Sequence, residues 1–137
     1  MKRAEWKHRA DDLAASAATL LYEKHYSTAF YLAGLSVECA LKAKIASRFL
    51  ASDIPDRRLV QAVYDHDLSK LLGHAQLSDL LDADGALKPR LKTNWNLVKT
   101  WSVEARYASW SPTQADDMIR SVSERGTGVL SWIKRHW

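Results

Sequence analysis

The stretch Tyr26–Arg48, YSTAFYLAGLSVECALKAKIASR, decides the fold. It is long enough for about six helical turns at 3.6 residues each. Ala29, Phe30, Ala33, Val37, Ala40, Leu41 and Ile45 recur at three- and four-residue spacing and share one helical face. Tyr31, Leu35 and Cys39 widen that face until little of the helix is left for water. Such a helix belongs in the middle of a bundle. One carboxylate, Glu38, lies inside this apolar setting, one turn before Lys42. A buried charge is costly unless paired, so the reading requires a partner for Glu38. Arg106 is the first candidate and Lys42 the second.

Working outward, the segment from Arg3 to Lys24 reads as an amphipathic helix with Trp6, Ala10, Leu13, Ala14, Ala17, Leu20 and Leu21 on one side. Its basic start opposes the helix dipole and predicts fraying there. A break at His25-Tyr26-Ser27 predicts that the first two helices form an antiparallel hairpin. On the other side of the central stretch, Asp53 reads as an N-cap with Pro55 in the first turn of a short helix over Asp56 to Tyr64. Asp65-His66-Asp67 opens a further helix, whose apolar side runs from Leu68 to Leu81 and which Asp84-Gly85 closes as a turn. Pro89 begins the next, with Leu91, Trp95, Val98, Trp101 and Ala105 on one stripe. Ser111-Pro112-Thr113-Gln114 combines an N-cap serine, an N1 proline and a capping-box glutamine. The last helix is expected to run from there almost to the end. Within it Gly126 reads as a close-packing position, with a kink as the alternative. The expectation is one all-α domain over residues 1–137, an up-down bundle of about five main helices.

Composition narrows the function classes. Hydrophobic residues at 47% and charged residues at 26% are ordinary globular values, and five glycines with three prolines argue against an all-β fold. The net charge of +4 is compatible with a nucleic-acid partner without requiring one. Basic residues concentrate at Lys2-Arg3-Lys7-His8-Arg9, at Lys88-Arg90-Lys92 with Lys99, and at Lys134-Arg135-His136. If these converge they offer a phosphate-binding surface; otherwise they are solvated helix faces. The single cysteine, Cys39, cannot form an internal disulfide, and no Cys/His spacing suggests a metal. No cofactor is implied. No apolar run approaches membrane-spanning length and the N-terminus carries no signal-peptide core, so a cytoplasmic protein without membrane partners is expected.

The segment Ala29-Phe-Tyr-Leu-Ala-Gly-Leu-Ser-Val-Glu-Cys-Ala-Leu-Lys-Ala resembles the central helix of the HEPN domain family, in which Tyr-Leu-Ala…Glu-x-Ala-Leu-Lys-Ala recurs. His66-Asp67-Leu68 followed by Leu71 is similar to the His-Asp-Leu that begins the third helix in many members. Trp101…Arg106-Tyr107 is similar to the Trp…Arg-Tyr near the end of the fourth. The resemblance spans roughly residues 10 to 134 and implies a compact helical bundle, often a homodimer, in prokaryotic toxin–antitoxin and defence systems. Some members are metal-independent RNases with an Arg-x4–6-His motif. Others lack it and bind nucleotides or partners, often beside a small nucleotidyltransferase.

The chemistry of an RNase member needs a histidine for proton transfer and an arginine to hold phosphate. No histidine follows Arg106 within six residues, so the family's motif is absent from its usual place; the literal match Arg3-Ala-Glu-Trp-Lys-His8 lies in the wrong helix. Catalytic candidates are therefore Arg106, His66, Arg3 and His8, and ligand-binding candidates are Glu38, Lys42, Arg106 and Tyr107. His66 and Asp67 read first as caps of their helix. The leading function is a non-catalytic or degenerate HEPN module that binds a nucleotide, RNA, an antitoxin or a nucleotidyltransferase-like partner. The alternatives are an RNase toxin with an atypical site and a dimeric adaptor with no nucleic-acid role.

Overall fold

The structure, a computed structural model, describes residues 1–49, 54 and 56–137. Among these residues the chain forms eight α-helices and one 3-10 helix, with no strand. The helices are α1 (Arg3–Tyr22), α2 (Tyr26–Ala46), α3 (Arg57–Ala62), α4 (Leu68–His74), α5 (Ser78–Leu87), α6 (Pro89–Val98), α7 (Pro112–Ser123) and α8 (Val129–Lys134). The 3-10 helix, Val103–Tyr107, lies between α6 and α7. None of the helices is long and apolar enough to cross a membrane.

The central stretch is α2, as its composition requires. It packs against α1, α4, α7, α8 and the 3-10 helix, and thirteen of its residues are buried. Alanines at 10, 17, 29, 33 and 40 are essentially sealed from solvent. Their small side chains let neighbouring backbones approach closely, and Leu41, Ile45, Leu71, Met118, Val122, Trp132 and Ile133 fill the remaining volume. The basic start of α1 is not left bare, because Glu5 reaches back and its Oε2 accepts from the Lys2 N–H at 2.6 Å.

Several boundaries differ from the sequence reading, each for a local reason. Helix α1 stops at Tyr22, where Lys24 takes a left-handed φ of 66° and the His25 N–H bonds back to the Leu20 carbonyl at 2.8 Å. The single helix expected over Leu68 to Leu81 is two. Gln76 is left-handed (φ 58°), and the Leu77 N–H returns to the Leu72 carbonyl while both leucines bury their side chains. Asp84-Gly85 is not a turn but part of α5. Gly85 lies against Lys92 of α6, and the chain reverses instead at Lys88, just before Pro89. Helix α6 ends at Val98 rather than carrying Trp101 and Ala105. Trp101 turns inward over Gly34 and donates from Nε1 to the Tyr31 carbonyl at 3.2 Å.

The Ser111 capping box forms as read, with hydroxyl and glutamine each accepting from the other's backbone N–H. The helix it starts ends at Ser123. The backbone leaves helical geometry at Glu124 (ψ 132°), and Gly126 is left-handed (φ +83°) in the turn that follows, with open space where a side chain would stand, so it is not a packing position. At Gly128 a Cβ would come within 2.5 Å of the Glu124 backbone. Asp53 and Pro55, read as the start of the short helix, lie outside the described residues; the cap observed for α3 is Asp56, whose Oδ1 accepts from the Arg58 N–H at 2.9 Å.

Candidate functional site

Glu38 sits on the interior side of α2 with 4% of its surface exposed. Its two oxygens have separate partners. Oε2 accepts from the Lys42 ammonium, one turn along the helix, at 3.1 Å; Oε1 lies 3.0 Å from Nδ1 of His66. Lys42 is itself buried, and its ammonium stands 5.4 Å from the centre of the Trp6 ring on α1. A carboxylate and an ammonium of α2 are thus joined by an imidazole from the loop before α4.

His66 is held in place by its neighbours. The Asp65 Oδ1 accepts from the backbone N–H groups of His66 (2.8 Å) and Asp67 (2.9 Å), folding the loop into a tight turn. Partial burial pushes the Asp65 carboxyl up, but those two N–H groups, with Lys70 and His74 nearby, outweigh it and hold the group below its ordinary value. Asp67 caps α4, its Oδ1 accepting from the Lys70 N–H at 3.0 Å, as the sequence reading had it. His66 does not cap; its ring turns to Glu38 instead.

Above the trio opens a cleft of ≈ 330 Å³, walled by Trp6, Phe49, Val63 and Tyr64 with Lys42 and His66 at its polar end. The Glu38 oxygens are already engaged, whereas the His66 side chain is 54% exposed. A neutral His66 that donates from Nδ1 to the carboxylate keeps a lone pair on Nε2, the arrangement in which an imidazole accepts a proton or a hydrogen bond. Cys39, next in sequence to Glu38, is no nucleophile. Burial, and secondarily the negative charge of Glu38, push its thiol up to about 11 against the pull of Lys42 and Arg9.

The remaining sequence candidates lie elsewhere. The expected Glu38–Arg106 pair does not form. Arg106 is exposed on the 3-10 helix, its guanidinium 4.7 Å from the ring centre of the equally exposed Tyr107, because the inward turn of Trp101 leaves only Ala105 of that segment buried. Neither Arg106 nor Tyr107 lines the cleft. Arg3 opens α1; His8, exposed one turn further on, lines a shallow depression with Met1, Glu5 and Arg9 and makes no bond with Arg3. The structure therefore brings together Glu38, Lys42 and His66, and adds Trp6, Phe49 and Tyr64. The signal for His66 was available: a buried carboxylate has two oxygens to satisfy, and Lys42 serves one. Among the described residues no cluster of His, Cys, Asp and Glu could hold a metal ion.

No protein-family model, curated protein or solved structure matches the chain.

Proposed function

We propose that the chain is a HEPN-like, antiparallel helical module that works as a homodimeric binding unit in a prokaryotic toxin–antitoxin or defence system. In this reading the cleft over Glu38, Lys42 and His66 takes a nucleotide, or the nucleotide portion of an RNA or of a nucleotidyltransferase-like partner's product. The observation that carries it is the pairing of aromatic walls with a buried lysine and a half-exposed histidine in a space of ≈ 330 Å³. A flat base finds stacking surface on Trp6, Phe49 and Tyr64, and a phosphate finds donors at the polar end. Calorimetric titration with ribonucleoside mono- and diphosphates tests it. Saturable binding that a folded Trp6→Leu variant loses supports the reading. Absence of binding by a folded sample to any nucleotide or RNA leaves the dimeric adaptor, with no nucleic-acid role, as the better account.

A second reading, a metal-independent RNase toxin with an atypical active site, is favoured by one contact, His66 Nδ1 to Glu38 Oε1 at 3.0 Å. A buried carboxylate that orients an imidazole is a proton-transfer arrangement, and Lys42 stands beside it. Cleavage of mixed tRNA and mRNA in EDTA that disappears in a folded His66→Gln variant selects this reading. Cleavage that survives His66→Gln but fails in Arg106→Ala places the chemistry at the exposed 3-10 helix.

A further inference from the structure

Basic residues from two of the sequence clusters, with Lys88 alone from the third, come together around the last turn of α8. Trp137 draws two of them together: the Lys7 ammonium of α1 stands 5.2 Å, and the Lys134 ammonium 5.7 Å, from its ring centre. Lys134 also binds Asp11 of α1 at 2.5 Å, fixing the end of α8 to the first helix. On the other side of the same turn, Arg135 and His136 share a small cavity of ≈ 220 Å³ with Lys88 from the α5–α6 corner. Arg90, Lys92 and Lys99 do not line that cavity, and Arg90 is committed to Glu124 at 3.0 Å.

Most of this positive charge is uncompensated. Lys134 has Asp11, but Arg3, Lys7, Lys88 and Arg135 make no ion pair among the described residues. Asp84, the one carboxylate lining the cavity, accepts from the Trp132 indole N–H on Oδ2 at 2.8 Å and faces His136 Nε2 at 3.9 Å, and the Arg135 guanidinium donates to the Gly126 carbonyl at 3.2 Å. Partial desolvation, and then the nearby Arg3 guanidinium, hold the Lys7 ammonium below its ordinary value. Like charges crowded on a surface cost free energy that a bound polyanion recovers.

We infer that the surface made by the first turns of α1, the end of α8 and Lys88 binds the phosphate backbone of nucleic acid, at a site separate from the cleft. Backbone contact needs fixed cations without base-reading groups, and that is what the face offers. A membrane surface fits less well: insertion uses several large apolar side chains, and the exposed ones beside this face are Met1 and Leu87, at opposite ends of it in sequence. The inference does not depend on the cleft. Either site can fail alone.

The test is anisotropy of a labelled oligo(dT) across a salt series. Four phosphate contacts, from Arg3, Lys7, Lys88 and Arg135, give a slope of log affinity against log salt of about −2.8, or about a fiftyfold loss between roughly 50 and 200 mM. Lys7→Ala with Arg135→Ala should halve that slope and reduce the loss to about sevenfold. Arg58→Ala with Lys99→Ala removes the same charge from exposed positions outside the face and should leave the slope unchanged. Lys88→Ala supplies an independent variant should the α8 substitution disturb folding, and is expected to remove about a quarter of the slope. Equal effects of the on-face and off-face pairs, or a slope near zero, overturn the inference. So does stronger binding to anionic phosphatidylserine vesicles, lost in the same variants, which would make the face a membrane contact. Lys7→Ala with Arg135→Ala, neither of which lines the cleft, is expected to leave calorimetric binding of mononucleotides there unchanged, so failure here and failure of the cleft are read separately.

Discussion

Replacing Glu38 by leucine leaves Lys42 among apolar neighbours without its carboxylate. Lys42 is 3% exposed, and its ammonium then keeps the Trp6 ring at 5.4 Å as its remaining described partner. At an effective dielectric of about 20, unit charges 3.1 Å apart attract by roughly 5 kcal/mol. Breaking a buried pair from one side costs about 3–5 kcal/mol, because the surviving charge loses both water and partner. Glu38→Leu is therefore expected to destabilise the fold by about 3–5 kcal/mol. Lys42→Met strands the carboxylate instead, but His66 Nδ1 still stands 3.0 Å from Oε1. Its cost should be smaller, about 1–3 kcal/mol. The double variant Glu38→Leu/Lys42→Met removes both charges while keeping apolar volume, and should lie near the parent. Urea unfolding followed by tryptophan fluorescence measures all four corners of the cycle, with equal m-values as the check on two-state behaviour. Losses that simply add in the double variant would refute the argument, since the two groups would then not be a coupled buried pair. Nucleotide binding should stay lost in the double variant even as stability returns, which separates the architectural role of the pair from its role in the cleft.

Three other perturbations test the same structure. Gly34→Ala would place a Cβ 2.1 Å from the Trp101 ring, so despite the better helix propensity of alanine it should destabilise by about 1–3 kcal/mol and free the indole N–H from the Tyr31 carbonyl; denaturant melts and the Trp101 indole NMR signal check this. Cys39, with its thiol raised from 9.0 to about 11, should resist iodoacetamide at neutral pH until the protein unfolds, and stability should fall as pH rises from about 9 to 11, where the unfolded thiol ionises before the folded one. A Cys39→Ser variant with an unchanged alkaline profile would refute that. The Asp65 carboxyl, held below its ordinary value, contributes stability above about pH 4 that is lost as pH falls through its folded value; Asp65→Asn should flatten the acid limb of the stability profile and loosen His66 from Glu38, seen as a shift of the His66 ring signals.

How much of this was legible in the sequence depends on the range of the interaction. The apolar breadth of α2, the capping box at Ser111, the cap at Asp67 and the proline start of α6 are written within a few residues, and the structure has them where the pattern puts them. The Glu38–Lys42 contact is one helical turn long and was readable as the second choice. His66 was not read as the partner of Glu38, because the two are 28 positions apart and joined only by the packing of α4 on α2. The helix breaks divide the same way. Gln76 adopts a left-handed backbone that nothing in its residue type advertises, and the break there follows from burying Leu72 and Leu77 together. Trp101 leaves its helix for a long-range gain, its place over Gly34. Arg106 kept the local pattern of a buried partner and lost the position when that tryptophan turned the chain outward.

The walls of the cleft differ in how firmly the fold holds them. Lys42 belongs to α2, against which five other elements pack, and Trp6 to α1, its most extensive neighbour. Val63, Tyr64 and His66 lie between α3 and α4, and α3 leans chiefly on α4. Amide exchange should therefore be slowest along α2, where opening requires global unfolding, and fastest around α3, where it requires only a local release. One side of the cleft then acts as a fixed jaw and the other as a hinged one. A ligand that stiffens residues 57–66 without touching α2 exchange would show that the loosely held side is the one that grips.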